Sequence, residues 1–117
     1  MPNSEIVRAL FDAYRAQDIA VAERLLAEDF AFTSPQDDHI DRAKYLERCF
    51  PTADRFTEQT VLQLVDVGDE DVFLLYEYEL ATGARYRNAE FLTVRSGRIV
   101  EVQVFFGGAA RPGSAPV

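Results

Sequence analysis

Glu90 has the surroundings in this sequence that could turn a carboxyl group into a proton carrier. In Arg87-Asn88-Ala89-Glu90-Phe91-Leu92-Thr93-Val94, strand alternation puts Asn88, Glu90, Leu92 and Val94 on one face and Arg87, Ala89, Phe91 and Thr93 on the other. A face carrying Leu92 and Val94 reads as the concave one, with Asn88 and Glu90 at its more polar end. Apolar walls disfavour a charged carboxylate, raise its pKa and ready it for general acid/base work near neutral pH. On the last strand Val100, Val102, Val104 and Phe106 share a face and should look into the same interior, while Glu101, Gln103 and Phe105 look out. The structural alternative pairs Glu90 with Arg85, Arg87 or a tyrosine hydroxyl and gives it no chemistry.

Other reactive groups are few. Tyr14, Tyr45, Tyr76, Tyr78 and Tyr86 could donate hydroxyls to an enolate or a carbonyl, although tyrosines at such spacing also serve as core fillers. His39 is the only histidine, in Asp37-Asp38-His39. Imidazole beside carboxylates makes a proton shuttle, and Asp beside His would suit a divalent ion. Adjacent loop residues do not provide ligand spacing, so no metal is expected. Cys49 lies on an apolar helical face with no activating His in sequence, so a packing role is expected rather than nucleophilic attack. The sequence has no Gly-rich phosphate loop, G-x-S-x-G elbow or H-E-x-x-H pair. No nucleotide, cofactor or zinc is therefore expected.

The elements that hold these groups divide the chain into a helical first third and a strand-rich second half. Ser4 or Asn3 can cap a first helix carrying Ile6, Val7, Leu10, Phe11 and Tyr14 at helical spacing. Asp18 opens a short second helix with Val21, Ala22, Leu25 and Leu26. Residues 29–34 alternate as a strand stopped by Pro35, and 36–40 read as a polar loop. Asp41 caps a third helix that carries Tyr45, Leu46, Cys49 and Phe50 and ends before Pro51. Four strands follow at 59–67, 72–81, 85–95 and 98–106, separated by turn-like breaks. Along 72–80 neither face is marked as the core by pattern alone. The expected fold class is α+β: a curved, mostly antiparallel sheet wrapped around three helices of the N-terminal half.

With 117 residues, the chain has room for one domain, expected over 1–108, with a flexible tail over 109–117. The net charge of -8, from 20 acidic against 12 basic residues, disfavours nucleic acid and anionic membranes as partners. A single cysteine excludes an internal disulfide. No apolar run approaches a membrane span, and the first residues lack the marks of a signal peptide, so a soluble cytoplasmic protein is expected.

Two stretches carry a family resemblance: Leu25-Leu26-Ala27-Glu28-Asp29-Phe30 with Thr33-Ser34-Pro35, and the final hairpin from Arg87 to Glu101. From Ile6 to Gly107 the chain resembles the SnoaL-like branch of the nuclear-transport-factor-2-like superfamily. The resemblance implies a cone-shaped, cystatin-like α+β roll enclosing a ligand-sized pocket. Relatives include ketosteroid isomerases, polyketide cyclases and limonene-epoxide hydrolases, beside members that only bind or associate. The isomerase base carboxylate before a proline falls on Ser34, which cannot shuttle a proton unaided, and that family's helix-one tyrosine falls on Leu10. An acidic acid/base position falls on or next to Glu90, and an acidic position of the epoxide hydrolases falls near Glu77. Two further positions of that hydrolase pattern fall on Leu75 and Val104, which argues against epoxide hydrolysis.

The resemblance therefore implies Glu90, with Glu77 and His39, as catalytic candidates for cofactor-free isomerisation, cyclisation or dehydration of a small apolar carbonyl compound. Tyr14, Ser34, Tyr45, Asn88, Leu92, Val102, Val104 and Phe106 would line the ligand site. The competing expectations are a non-catalytic ligand-binding protein, and a homodimer through the convex sheet face, from which Phe91 and Phe105 should project.

Overall fold

The computed structural model describes residues 2–109 of the chain. The elements run α1 (Asn3–Ala16), α2 (Ile19–Leu25), β1 (Leu26–Ser34), β2 (Asp37–Asp41), α3 (Arg42–Arg48), a 3-10 helix (Phe50–Arg55), β3 (Phe56–Val67), β4 (Asp71–Leu80), β5 (Arg85–Arg95) and β6 (Arg98–Ala109). The strands form one sheet in the order β2-β1-β6-β5-β4-β3. Only the β1–β6 pair is parallel. The fold is α+β with a curved, mostly antiparallel open sheet, as the sequence leads one to expect.

The helices form where apolar spacing and caps coincide. In α1, Ile6, Val7, Leu10 and Ala13 are all buried, the 3.6-residue stripe that a helix lays on a sheet. Asp18 accepts from the Val21 N–H at 3.3 Å and Asp41 from the Lys44 N–H at 2.9 Å, so both expected caps are present. The first cap is different. Asn3 and Ser4 lie inside the first turn, and the Asp66 carboxylate of β3 accepts from the Ser4 N–H at 2.9 Å and hydroxyl at 2.8 Å. A distant acid thus satisfies the positive end of the helix.

Three further expectations need correction. Residues 37–41 are not a loop but β2, which turns back on β1 with Phe32 opposite Ile40 and Ala31 opposite Asp41. The polar run hid it because an edge strand half open to water needs few apolar residues. Val100 is not a buried inward residue. A bulge in β6 pairs Val94 with Ile99 but Thr93 with Glu101, so Ile99 fills the core and Val100 becomes the extra residue. The last strand does not stop at residue 106, because β6 continues through Gly107 and Gly108 to Ala109. A Cβ at position 107 would run into the Arg87 carbonyl oxygen, so glycine permits the close approach. Of the tail expected over 109–117, Ala109 belongs to β6 and residues 110–117 lie outside the described residues.

The core sits between the inner sheet face and the helices. Val7 and Leu10 of α1 belong to one buried cluster with Phe30, Phe50, Val72, Leu74, Leu92, Val94 and Ile99. The ambiguity along β4 is resolved by this packing: Val72, Leu74 and Tyr76 face in and are buried. Among the described residues no helix is long and apolar enough to cross a membrane.

Candidate functional site

Glu90 stands in the middle of the inner sheet face. Leu74 of β4 is opposite it on one side and Val104 of β6 on the other. Leu92, two residues along β5, is flanked in the same way by Val72 and Val102. A carboxyl with apolar cross-strand neighbours on both sides loses much of its hydration. This desolvation pushes the Glu90 pKa up to about 7, and the nearby Tyr76 hydroxyl offsets only part of it. Tyr76 is steadied by Asn88, whose side-chain amide donates to the phenolic oxygen at 3.3 Å. The Asn88 carbonyl in turn accepts from the Gly107 N–H at 3.3 Å. Asn88 is the one polar residue in the buried set, and both ends of its amide have partners.

Above this floor lies a cavity of about 360 Å³. Glu90 is half-buried, and it lines that cavity together with Leu10, Phe11, Phe32, Leu74, Leu92 and Val104. Tyr14 and Tyr45 also line it, from α1 and α3, with different hydrogen-bonding states. The Thr52 hydroxyl donates to the Cys49 carbonyl at 2.7 Å, so its oxygen receives the Tyr14 proton at 2.8 Å. Tyr14 can therefore accept from a ligand without giving up a bond, but cannot donate. Tyr45 is a buried residue, but its hydroxyl, without a protein partner among the described residues, keeps some exposure. Burial, followed by the nearby Glu90 charge, raises its pKa. It is a protonated donor facing the same space as Glu90.

The mouth is polar. Ser34, Gln36, Asp37, Arg48, Cys49, Thr52, Arg55 and Gln59 line it, and Gln36, Arg48 and Arg55 are exposed. Arg48 lies 3.4 Å from Asp37. The Cys49 thiol is 3.9 Å from Asp37, and burial with that negative neighbour pushes its pKa up to about 11. Such a thiol is a poor nucleophile at neutral pH.

The cavity thus brings together Glu90, Tyr14, Ser34, Tyr45, Asn88, Leu92, Val104 and Phe106 from the residues singled out in the sequence. Three others fall elsewhere. Glu77 is on the outer face, opposite Arg87 in the β4–β5 register, and bonds Arg85 at 2.8 Å and Arg87 at 3.1 Å. These hydrogen bonds from arginine hold its carboxyl below the ordinary value. Period-two alternation forces that position once Leu74 and Tyr76 face inward. His39 is also outside: its side chain is 65% exposed, on a left-handed residue of the β1–β2 hairpin, bonded to Asp38 at 2.6 Å. Val102 is buried but does not reach the cavity, because it packs beside Leu92 in the solid part of the core.

Sequence reasoning did not single out Asp37, Arg48, Thr52, Arg55, Phe56 or Gln59, all of which line the cavity. Asp37, Arg48, Thr52 and Arg55 carry a weak signal because they come from a short strand, a helix end and a 3-10 helix without strong periodicity, while Phe56 and Gln59 open β3, which the sequence pattern begins only at residue 59. Tyr76 was within reach: it falls in register opposite Asn88, one pair along from Leu74 opposite Glu90. Among the described residues, no group of three His, Cys, Asp or Glu side chains could hold a metal ion.

Residues 7–102 match the family described as SnoaL-like domain, and the chain belongs to it. No curated protein matches the sequence. Among solved structures, the chain is similar to a proposed ketosteroid isomerase from Kribbella flavida: TM-score 0.75, 24% identity, covering 95% of this chain and 82% of that one. It is also similar to a proposed polyketide cyclase from Pseudomonas putida: TM-score 0.70, 18% identity, 92% of each chain. An NTF2-like protein from Cytophaga hutchinsonii gives TM-score 0.69 at 19% identity, over 91% of each chain. At these identities the likeness establishes the NTF2-like fold.

Proposed function

We propose that this protein is a cofactor-free acid/base enzyme of the isomerase, cyclase or dehydratase kind, acting on a small apolar carbonyl compound. The observation that carries the reading is Glu90: a carboxyl with a pKa of about 7 on the apolar floor of a ligand-sized cavity. At neutral pH such a group is divided between its basic and acidic forms, which favours proton transfer in both directions. A carbonyl compound lying over Leu74, Leu92 and Val104 presents the hydrogen on the carbon next to its carbonyl to Glu90. The C–H electron pair moves into an enolate as the carboxylate takes the proton. The Tyr45 hydroxyl donates to the enolate oxygen, where negative charge develops. Returning the proton to a different carbon gives an isomer. Attack of the enolate carbon on a second carbonyl closes a ring, and the proton then goes to the new alkoxide. Expelling a β-hydroxyl as water consumes it instead. One carboxyl performs both transfers, since Ser34 occupies the end of β1 and Glu77 is outside.

The test is turnover of β,γ-unsaturated and 1,3-dicarbonyl compounds by wild type and Glu90→Gln across pH. The wild-type kcat/KM should rise through an apparent pKa near 7, and the variant should lose at least about a hundredfold. Equal activity of the two proteins would remove Glu90 from the mechanism. The non-catalytic alternative is favoured by one observation: the Tyr14 proton is already committed to Thr52, leaving Tyr45 as the sole oxyanion donor proposed from the helices. Tight ligand binding by wild type without turnover would decide for it.

A homodimer through the outer sheet face is part of the same proposal. Val65, Phe73 and Phe91 lie in register across β3, β4 and β5, and Leu75, Ala89 and Phe105 form the next row across β4, β5 and β6. Phe105 is 56% exposed. Sedimentation of wild type and Phe105→Lys tests it, and a wild-type monomer at high concentration would refute it.

A further inference from the structure

Two cations line the cavity, and they differ in what they are bonded to. Arg48 lies against Asp37. Arg55, exposed at the end of the 3-10 helix, lines the same cavity and has no acidic partner at ion-pair distance among the described residues. This happens in a chain with 20 acidic residues. Gln59 also lines it, and its carbonyl oxygen already accepts from Arg15 at 3.2 Å. Two donors remain on the lining there: the Arg55 guanidinium and the Gln59 side-chain NH2. The Tyr14 phenol inside the cavity feels the Arg15 and Arg55 charges, each favouring its ionised form. Glu90, on the floor, is not shifted by either. Beside the Asp37–Arg48 pair, the cavity thus carries one cation free of an acidic partner, apart from its acidic floor.

Much of the wall is aromatic. Phe11, Phe32, Tyr45, Phe56, Tyr76 and Phe106 all line the cavity. Ring faces and edges favour a flat partner over a branched aliphatic one. At about 30 Å³ for a water-sized group, a volume of about 360 Å³ holds roughly a dozen non-hydrogen atoms.

We infer that the ligand is a small ring-bearing carboxylic acid, whose carboxylate is held by Arg55 and Gln59 at the mouth while its ring lies against the aromatic wall. A guanidinium presents paired N–H donors that match a carboxylate fork. The inference rests on the pocket reading above and adds the chemical class of the occupant. It also explains how an acidic protein would draw in an anion: the donors are local, and long-range repulsion is screened at physiological salt within about 8 Å.

The experiment uses two probes of equal size, hydrocinnamate and benzylacetone, which share the phenylethyl body and differ by carboxylate against methyl ketone. Binding to the full chain is measured by calorimetry for wild type, Arg55→Gln and Arg55→Lys. Arg55 is exposed, so its loss should leave the fold intact, and thermal melts check this. Hydrocinnamate should bind wild type more tightly than benzylacetone does, and more weakly as salt rises. Arg55→Gln should weaken hydrocinnamate about tenfold, Arg55→Lys less, and neither should move benzylacetone. Equal hydrocinnamate affinity for wild type and Arg55→Gln overturns the inference. So does binding of benzylacetone alone, which leaves the pocket reading standing. If neither probe binds at millimolar concentration, both the inference and the pocket reading fail.

Discussion

The substitution Glu90→Gln keeps the shape of the side chain and removes the charge. Burial between Leu74 and Val104 lifts the carboxyl pKa from 4.5 to about 7. At about 1.4 kcal/mol per pKa unit, the ionised group costs about 3 kcal/mol of folding stability. The folded protein holds this proton up to about pH 7, whereas the unfolded chain releases it near 4.5. Between those values the native state binds more protons, so stability falls as pH rises. Below 4.5 both states are protonated and the cost vanishes; well above 7 it is complete. The variant never pays it. Relative to wild type, Glu90→Gln should gain about 3 kcal/mol at about pH 8.5 and less than about 1 kcal/mol at about pH 5. Urea unfolding of both proteins at the two pH values measures this difference, and comparison at each pH cancels the other titrating groups. If the gap between the proteins does not change with pH, Glu90 is well solvated in the native state. The acid/base proposal then loses the pKa on which it stands.

Other consequences of the structure can be checked in the same way. Asp66→Ala removes the carboxylate that caps α1 through Ser4, and should cost about 1 kcal/mol in urea unfolding, less at high salt. Gly107→Ala forces a Cβ against the Arg87 carbonyl and should lower stability by about 1–3 kcal/mol; an unchanged melting temperature would show that β6 has room there. Cys49, with its pKa pushed up to about 11, should react with a thiol reagent at neutral pH roughly a hundredfold more slowly than free cysteine. Removing the neighbouring negative charge with Asp37→Asn should speed that reaction, and a rate equal to free cysteine in wild type would refute the thiol's assigned environment.

Much of the architecture follows from local physics and is legible along the chain. The spacing of Ile6, Val7 and Leu10 makes a helix that must bury one stripe, and Asp18 and Asp41 mark where two more helices begin. Alternation in β5 put Asn88, Glu90 and Leu92 on one face before any partner strand was known, because strand direction alone dictates it. What alternation cannot say is which face a strand turns inward when both carry apolar residues. On β4, Leu74 and Tyr76 competed with Phe73 and Leu75, and pairing with β5 under α1 decided it, sending Glu77 out to Arg85 and Arg87. The bulge at Val100, the polar edge strand β2 and the cap lent by Asp66 were equally out of reach, since each depends on a partner far away in sequence. Local pattern alone specifies the three helices, five of the six strands and one acid facing inward. The tertiary structure decided what surrounds that acid, because desolvation and hydrogen bonding depend on neighbours that only folding brings together.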